Sequence, residues 1–523
     1  MRAGESIRRL ARPAFLCAAL ALTQVSCVDS KAFEAGAIDY SAEALPFAEP
    51  ELDPLYRLPG VSKLPDATQR ALDVRRAFFA RRFEIPELAL TLAHDDKLNG
   101  VDGKFAAGPI IDGIEATQLA GIDACADWLR QMPDSYAAHW LCGAMWERGA
   151  WAARTGKFSS EVSAARFALM RERLQRSNAL LERAITLTPE PLEALVRLAG
   201  NRYLDGDKTG AEALLERAEQ IKPDYAPIHR TRLNYAQPKW GGSEERVKAA
   251  FERAKQSGVS GDRLLDIEDD FIVRPSTMTN PGEARAYWER VIREHPTKGR
   301  LTALRNDLFR TQSWDAALPV ATRLIADYPG DATDHYWRAR IHQQLGRVAE
   351  ARDDYRMAAA MGDDLALQEL VMANIRGGLG ITAKSFDEVV VLCRYGASLG
   401  SGVGANCMGS LFLEGGSAGV PFRPDTGQAF AWHLVGARAG HYNSQYDLGW
   451  LMYTGRAPGV EPAAAKRLGT FWLRRAAEQD HQFAKKKLEE NGIALSEPLP
   501  VGGEGMRLAS VIAGLLSLIE MLP

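Results

Sequence analysis

One stretch of the chain combines residue types that could perform nucleophilic catalysis. Residues 396–400 follow the pattern Gly-x-Ser-x-Gly, in which a serine on a tight strand-to-helix turn attacks a carbonyl carbon. The apolar run 389–392 could be the strand, and Asp425 and His433 follow in the chain order of a hydrolase triad. A serine hydrolase centred on Ser398 is therefore one candidate function.

Repetition in the sequence argues against this candidate. The shift that carries 396 onto 436 lays the whole motif on 436–440, and a second such shift lays it on 476–480, which ends at Asp480. Neither copy keeps the serine, so Ser398 occupies a variable position. The shared glycines predict a turn that ends a helix rather than a nucleophile elbow.

Other candidate chemistries lack essential parts. Residues 206–209 resemble the end of a phosphate loop, but the upstream glycine and the Gly-Lys pair are absent. His335 and His342 are seven residues apart, with no cysteine or carboxylate at metal-site spacing. His441 and His481 recur with the repeat, which favours packing or capping. We predict no metal site and no cofactor.

The elements that would position these residues are repeats. Within Ala405–His481 one pattern occurs twice in the same register, and a degenerate copy spans 367–399. The recurring pairs are Gly409 and Gly449, Leu411 and Leu451, Trp432 and Trp472, Ala437 and Ala477, and His441 and His481. This pattern resembles the Sel-one-like family, which implies helical hairpins that bury their apolar faces against their neighbours.

A second, shorter period precedes the first. Small residues and prolines recur at one constant spacing in the pairs Ala184 and Ala218, Pro189 and Pro223, and Ala317 and Ala351. This spacing resembles the tetratricopeptide repeat, because antiparallel helices approach closely only at small residues. The predicted fold is an all-α superhelical solenoid of antiparallel helical hairpins, tetratricopeptide-like and then Sel-one-like.

A longer resemblance overlies part of this body. It rests on 136–140, 146–149, 151–154 and 237–243, which are similar to domain-of-unknown-function family 4034. That resemblance implies a helical, often exported domain without an assigned activity. The predicted organisation is a signal at 1–27, a tether at 28–65, the family-4034-like domain at 66–258, tetratricopeptide-like repeats at 259–363, Sel-one-like repeats at 364–492 and a tail at 493–523.

The N-terminus has the layout of an export signal. Arginines precede a short apolar run, 14–22, which is too short for a membrane span. Residues 22–27 resemble a bacterial lipobox that ends at Cys27, although Gln24 stands where that family prefers leucine. We expect lipidation at Cys27 and a membrane-anchored periplasmic protein. The alternative is an ordinary cleaved signal.

Four further cysteines suit an oxidising compartment: Cys125, Cys142, Cys393 and Cys407. The first two lie eight and nine residues from the turn near Pro133, and the other two lie seven residues on either side of Gly400. Equal distances place both members of a pair at one level of a hairpin, within disulfide reach. The alternative is four buried, reduced cysteines.

The composition indicates an ordinary globular chain of several domain-sized units. Apolar residues make up 46%, charged residues 25%, and the net charge is −3 over 523 residues. No long basic block occurs, so nucleic acid is not an expected partner. An apolar run at 508–519 predicts a helix that covers the last repeat or, alternatively, one that binds a membrane surface or a partner.

Partner-binding residues are expected on the inner face of the hairpins. By repeat register these are Arg230, Asn234, Tyr336, Trp337, Arg340, Gln343 and Gln344. The tetratricopeptide resemblance implies that such residues hold a peptide carboxylate or backbone, and aromatic and arginine side chains are common interface anchors. The predicted function is a non-enzymatic scaffold for proteins or peptides in the bacterial envelope. Alternatives are the hydrolase at Ser398 and an envelope glycan-binding module.

Overall fold

The computed structural model describes residues 58–494, except 60, 62, 100–120, 155–161, 163, 276–277, 279, 382–384, 414–422 and 458–459. Within this part the chain forms 22 α-helices and no strand. The predicted all-α fold is confirmed. The predicted signal with Cys27, residues 28–57 of the tether and the apolar run 508–519 lie outside the described residues.

The helices of the N-terminal half are α1 (Asp66–Phe79), α2 (Glu84–Asn99), α3 (Ile122–Gln131), α4 (Tyr136–Arg154), α5 (Ala164–Ala184), α6 (Leu192–Leu204), α7 (Lys208–Ile221), α8 (Ala226–Ala236), α9 (Glu244–Gln256) and α10 (Gly261–Glu268). A π-helical turn, Asp269–Val273, continues α10. The remaining helices are α11 (Pro281–Glu294), α12 (Lys298–Arg310), α13 (Trp314–Asp327), α14 (Ala332–Gln344), α15 (Val348–Ala360), α16 (Asp364–Arg376), α17 (Phe386–Ser398), α18 (Gly402–Leu413), α19 (Thr426–Arg438), α20 (Tyr442–Tyr453), α21 (Pro462–Glu478) and α22 (Gln482–Glu490).

From α6 onwards the hairpins follow one another without interruption. The first helices of successive hairpins begin at 192, 226, 261, 298, 332, 364, 402 and 442, and α22 follows at 482, so these helices begin 32 to 40 residues apart. The stretch 259–280, which is irregular in sequence, supplies the first helix α10 and does not interrupt the array. The array is therefore continuous across the change from the shorter to the longer period.

The first helices line the inner surface of the array. Beyond chain neighbours, direct contacts join α4 with α6, α6 with α8, α8 with α10, α16 with α18 and α18 with α20. Helices on the inside of a curved stack lie closer together than those on the outside. Exposed side chains on the first helices consequently face the groove, and the second helices form the outer surface.

A side-chain acceptor precedes the first helix of each of the last six repeat units. It accepts a hydrogen bond from a backbone N–H in the first turn, where helical donors have no partner. The capping residues are Thr297, Asp331, Asp363, Ser401, His441 and His481. The capping role predicted for the two histidines is confirmed.

Helix α1 crosses the ends of three hairpins. The Thr68 hydroxyl donates to the carbonyl of Gly330 at 3.4 Å, and Arg75 Nη1 donates to the carbonyl of Gly362 at 3.4 Å. Arg75 Nε donates to the carbonyl of Leu399 at 2.6 Å. These three carbonyls belong to successive turns between a second helix and the next first helix. Helix α1 therefore acts as a crossbar over the array.

The folded body begins before residue 66. Leu58 and Leu64 are buried in the same apolar cluster as Leu72 and Tyr355. The carbonyl of Pro59 also accepts a hydrogen bond from Arg356 Nη2 at 2.8 Å. The last residues of the segment predicted as tether are thus attached to the array.

Two disulfides staple antiparallel helices. Cys125 in α3 joins Cys142 in α4 with a Cα–Cα distance of 5.7 Å, and Cys393 in α17 joins Cys407 in α18 at 5.8 Å. Both pairings follow from equal distances to a hairpin turn, as predicted. No helix among the described residues combines the length and apolar character needed to cross a bilayer.

Candidate functional site

The serine motif lies on a helix. The run 389–392, which a hydrolase would need as a strand, is part of α17, and Ser398 is the last residue of that helix. The Ser398 hydroxyl is 6% exposed and donates to the carbonyl of Tyr395 at 2.7 Å. Neither ring nitrogen of His433 has a hydrogen-bond partner, so no Ser–His contact exists between them. The predicted turn that ends a helix is confirmed: α17 ends at Ser398, and Gly400 in the turn has φ +73°.

His335 and His342 face one carboxylate. His335 Nδ1 lies 3.3 Å and His342 Nε2 lies 3.7 Å from the carboxylate oxygens of Asp354. Arg338 occupies the same carboxylate through Nε at 2.7 Å and Nη2 at 2.6 Å. Burial alone would raise the pKa of Asp354, but hydrogen bonds from Arg338 and His335 lower it below its usual value. Among the described residues, no group of three or more His, Cys, Asp or Glu side chains could hold a metal ion.

The inner face of α14 carries an arginine on an aromatic platform. The Arg340 guanidinium lies 5.5 Å from the ring centroid of Phe309 and 5.9 Å from those of Tyr336 and Trp337. Its Nη1 donates to the Tyr336 hydroxyl at 3.0 Å. Cation–π contacts of this kind contribute about 0.5–2 kcal/mol each, depending on solvent exposure. They hold the guanidinium in one place without neutralising it.

The platform is assembled from three helices. Trp337 packs edge-on against Phe309 of α12 with 4.7 Å between ring centroids. Tyr336, only 7% exposed, packs against Tyr355 of α15 at 5.9 Å. The Tyr355 hydroxyl donates to Gln343 Oε1 at 3.1 Å. Tyr336 thus supports Arg340 from below and offers little surface to a partner.

A buried ion pair fixes the helix that bears the platform. Arg305 on α12 pairs with Asp334 on α14, and both side chains are 3% exposed. The Arg305 guanidinium also lies 5.7 Å from the Trp337 ring centroid. Burial lowers the pKa of Arg305 and raises the pKa of Asp334, so each group depends on the other for its charged state. The pair locks the orientation of α14 against α12.

Arg340 differs from the arginines around it. Arg305 pairs with Asp334 and Arg338 with Asp354, but Arg340 has no carboxylate within ion-pair distance among the residues that the structure describes. Its side chain is partly exposed. A guanidinium that is held in place but forms no ion pair suits a carboxylate or a main-chain carbonyl. Gln343 and Gln344 follow on α14, and both are exposed.

Arg230 and Asn234 do not join this cluster. They lie on α8, three hairpins earlier in the array. Arg230 forms an ion pair with Asp270 of the π-helical turn and lies 5.7 Å from the ring centroid of Phe271. Asn234 Oδ1 accepts from Gln237 Nε2 at 3.2 Å. The seven predicted residues therefore form two separate groups, and only the group on α14 includes an arginine without an ion pair.

Sequence reasoning missed Phe309 and Arg305. Phe309 lies one tetratricopeptide-like period before Gln343, so it occupies the equivalent position of the preceding repeat. Extending the repeat register back by one unit would have found it. Arg305 carries no such signal, because its pairing with Asp334 depends on the packing of α12 against α14.

The fold defines an all-α helical-repeat protein. Residues 302–366, which include the Arg340 site, match the family model of the tetratricopeptide repeat. This match confirms the predicted resemblance for that part of the chain. The hairpins whose first helices start at 402 and 442 have the arrangement that the Sel-one-like resemblance implies. Nothing tests the resemblance to family 4034 at 66–258, which stays a prediction.

Solved structures of helical-repeat proteins are similar to the chain at low identity. A Sel1 repeat protein from Oxalobacter formigenes is 16% identical over 70% of this chain and 90% of its own, with a TM-score of 0.33. The c5321 protective antigen of uropathogenic Escherichia coli, described as an SLR fold, is 14% identical over 88% and 91%, with a TM-score of 0.33.

A human protein is similar over a comparable length. A human IFIT1 dimer with PPP-AAAA is 12% identical over 81% of this chain and 97% of that one, with a TM-score of 0.29. No ligand or partner of this chain follows from similarities at such TM-scores. No curated protein matches the sequence.

Proposed function

We propose that the protein is a non-enzymatic scaffold that binds an extended segment of a protein partner in the groove at α12 and α14. The observation that carries this proposal is Arg340, whose charge is positioned by three aromatic rings and is not paired with a carboxylate among the described residues. The match to the tetratricopeptide repeat at 302–366 supports a binding role in general.

The chemistry of the site suits a peptide. Arg340 would bind a side-chain or C-terminal carboxylate, or a main-chain carbonyl, through charge-assisted hydrogen bonds. The exposed amides of Gln343 and Gln344 can donate to and accept from a peptide backbone. Trp337 supplies apolar contact area beside them. Aromatic and arginine anchors of this kind dominate the binding energy of many interfaces.

The test is affinity capture from envelope fractions with the full chain as bait. The double variant Trp337→Ala/Arg340→Glu should lose the specifically bound partner by at least about tenfold, which corresponds to about 1.4 kcal/mol. The matched control is Arg323→Glu, which makes the same charge change on the outer helix α13, where Arg323 is 45% exposed. Equal recovery with the double variant and the wild type would refute the groove as the binding surface.

We further propose that the chain is exported and anchored by lipid at Cys27. The support is the layout of residues 1–27 and the two disulfides, which persist in oxidising compartments. Mass spectrometry of the mature N-terminus should find residue 27 first and lipidated, and Cys27→Ala should abolish incorporation of a labelled fatty acid. A mature protein that begins elsewhere, or that lacks the label, would contradict the anchor.

A further inference from the structure

Three histidines lie together in the C-terminal hairpins. His433 is on α19, His441 caps α20 and His481 caps α22. Their relative exposures are 0% for His433 and 8% for His481, and His441 is partly exposed. The binding role proposed for α14 uses none of them.

His433 is buried without a hydrogen bond. Neither ring nitrogen has a partner, and a Cβ atom placed on Gly409 would lie 2.8 Å from the ring, so the ring fills the space beside that glycine. The nearest carboxylate oxygen, on Asp447, is 3.8 Å from Nδ1. Burial, with a smaller contribution from His441, lowers the pKa of His433 to about 3. A proton on this ring would introduce a charge with no hydrogen-bonded partner.

His441 and His481 hold their helices as hydrogen-bond acceptors. His441 Nδ1 accepts from the N–H of Ser444 at 3.4 Å, and His481 Nδ1 accepts from the N–H of Ala484 at 3.1 Å. A protonated Nδ1 can only donate a hydrogen bond. Protonation would therefore abolish the hydrogen bond by which each histidine caps its helix. Burial and then His481 lower the pKa of His441 to about 4, and burial lowers that of His481.

Among the described residues, no charged group is hydrogen-bonded to a ring nitrogen of the three histidines. Asp447 faces His433 beyond hydrogen-bond distance. Asp480, which precedes His481, pairs with Lys485 at 2.7 Å. His481 Nε2 contacts the amide oxygen of Asn443 at 3.1 Å, a neutral partner from α20.

Aromatic rings and a neutral hydroxyl group also contact the two cap histidines. They are the ring of Tyr442 on both cap histidines, the rings of Tyr446 and Phe483 on His481, and the hydroxyl of Ser444 beside His441. Charging the three histidines therefore places like charges close together in a buried region.

We propose that His433, His441 and His481 form an acid-responsive element that loosens α19–α22 as the pH falls below neutral. Each histidine is held neutral in the folded hairpins, whereas the unfolded histidine titrates near pH 6.5. The stabilising contribution is full above that pH. It is lost as the pH falls from about 6.5 towards the folded pKa values, because the opened state binds protons that the folded state excludes.

The other caps predict that this response is local. Thr297 and Ser401 do not titrate, and burial raises the pKa of Asp363 to about 6. A raised carboxyl pKa has the opposite sign, since the folded state then gains stability as the pH falls from about 6 to 3.8. The hairpin of α16 and α17, which contains no histidine and begins at the Asp363 cap, should not loosen with α19–α22.

Hydrogen–deuterium exchange of the full chain at pH 7 and pH 5, corrected for intrinsic exchange rates, tests this inference. Peptides from α19–α22 should open about 20-fold more often at pH 5 for each histidine that titrates. Peptides from α16–α17, which contain no histidine, serve as the internal reference. The repeat itself supplies the substitutions: Leu473 is equivalent to His433, and Ser401 is equivalent to His441 and His481.

The variant His433→Leu/His441→Ser/His481→Ser should keep its caps and lose the acid response of α19–α22. If that variant does not fold, the double variant His441→Ser/His481→Ser should still reduce the response by at least tenfold. An acid response that persists in these variants, or one as large in α16–α17 as in α19–α22, would overturn the proposal. So would the absence of any response in the wild type.

Discussion

Burial decides what each charged side chain in the array can do. Arg305 and Asp334 are both 3% exposed, so removing either would leave an uncompensated buried charge, at a cost of about 3–5 kcal/mol. Arg340 on α14 is partly exposed and forms no ion pair with a carboxylate among the described residues. Arg305 therefore stabilises the fold, whereas Arg340 is the arginine to which the proposed function assigns a ligand.

Two glycines allow the cost of backbone strain to be distinguished from the cost of steric overlap with α1. Gly346 and Gly400 have nearly the same φ, +72° and +73°, and both lie in turns of the array. A Cβ on Gly346 meets no atom within 4 Å, whereas a Cβ on Gly400 would lie 2.3 Å from the ring of Phe79 in α1. A substitution at either site strains the backbone, but only the one at Gly400 also displaces the crossbar.

Gly346→Ala should therefore cost about 1–2 kcal/mol of unfolding free energy from strain alone. Gly400→Ala should cost about 1–3 kcal/mol more, because the added methyl overpacks against Phe79. Urea denaturation of both variants measures the difference, and the same pair in a Phe79→Ala background forms a double-mutant cycle. Equal costs in the wild-type background would show that α1 does not press on the turn at Gly400.

At the scale of elements, the repeat register carried most of the prediction. The register placed hairpins, turns and both disulfides correctly because each depends only on distance along the chain from a turn. It also predicted that Arg340 and Trp337 share one face of α14, and the two side chains are in contact there. Histidine is an uncommon helix cap, and the roles of His441 and His481 were predictable only because they recur.

Contacts between distant segments were beyond sequence reasoning. Arg75 bonds to Leu399 across 324 residues, and no local pattern near α1 encodes the turns that it crosses. Arg230 pairs with Asp270, which the sequence could not indicate because Asp270 belongs to a π-helical turn that lacks a sequence signature. Tyr336 was expected to face a ligand, but it packs on Tyr355. Neighbouring residues on a helix point in different directions, so an error of one position exchanges an exposed side chain for a buried one.

At the scale of the whole molecule, the array is a continuous groove of first helices with an outer layer of second helices. The crossbar α1 spans the turns at Gly330, Gly362 and Leu399, and the hairpins that end at these turns include α14. It therefore restrains the curvature of the groove beside Arg340. A rigid groove loses less conformational entropy on binding than a flexible one, which favours affinity for an extended peptide.

Site-specific photo-crosslinking tests the central claim most directly. A photoreactive amino acid would replace Gln344 on the inner surface or, in a matched protein, Arg323 on the outer surface, and crosslinked species would be compared in envelope fractions. The account predicts a discrete partner crosslinked from position 344, lost when Arg340→Glu is added, and absent from position 323. The same species from both positions, or crosslinking from 344 that survives Arg340→Glu, would contradict it.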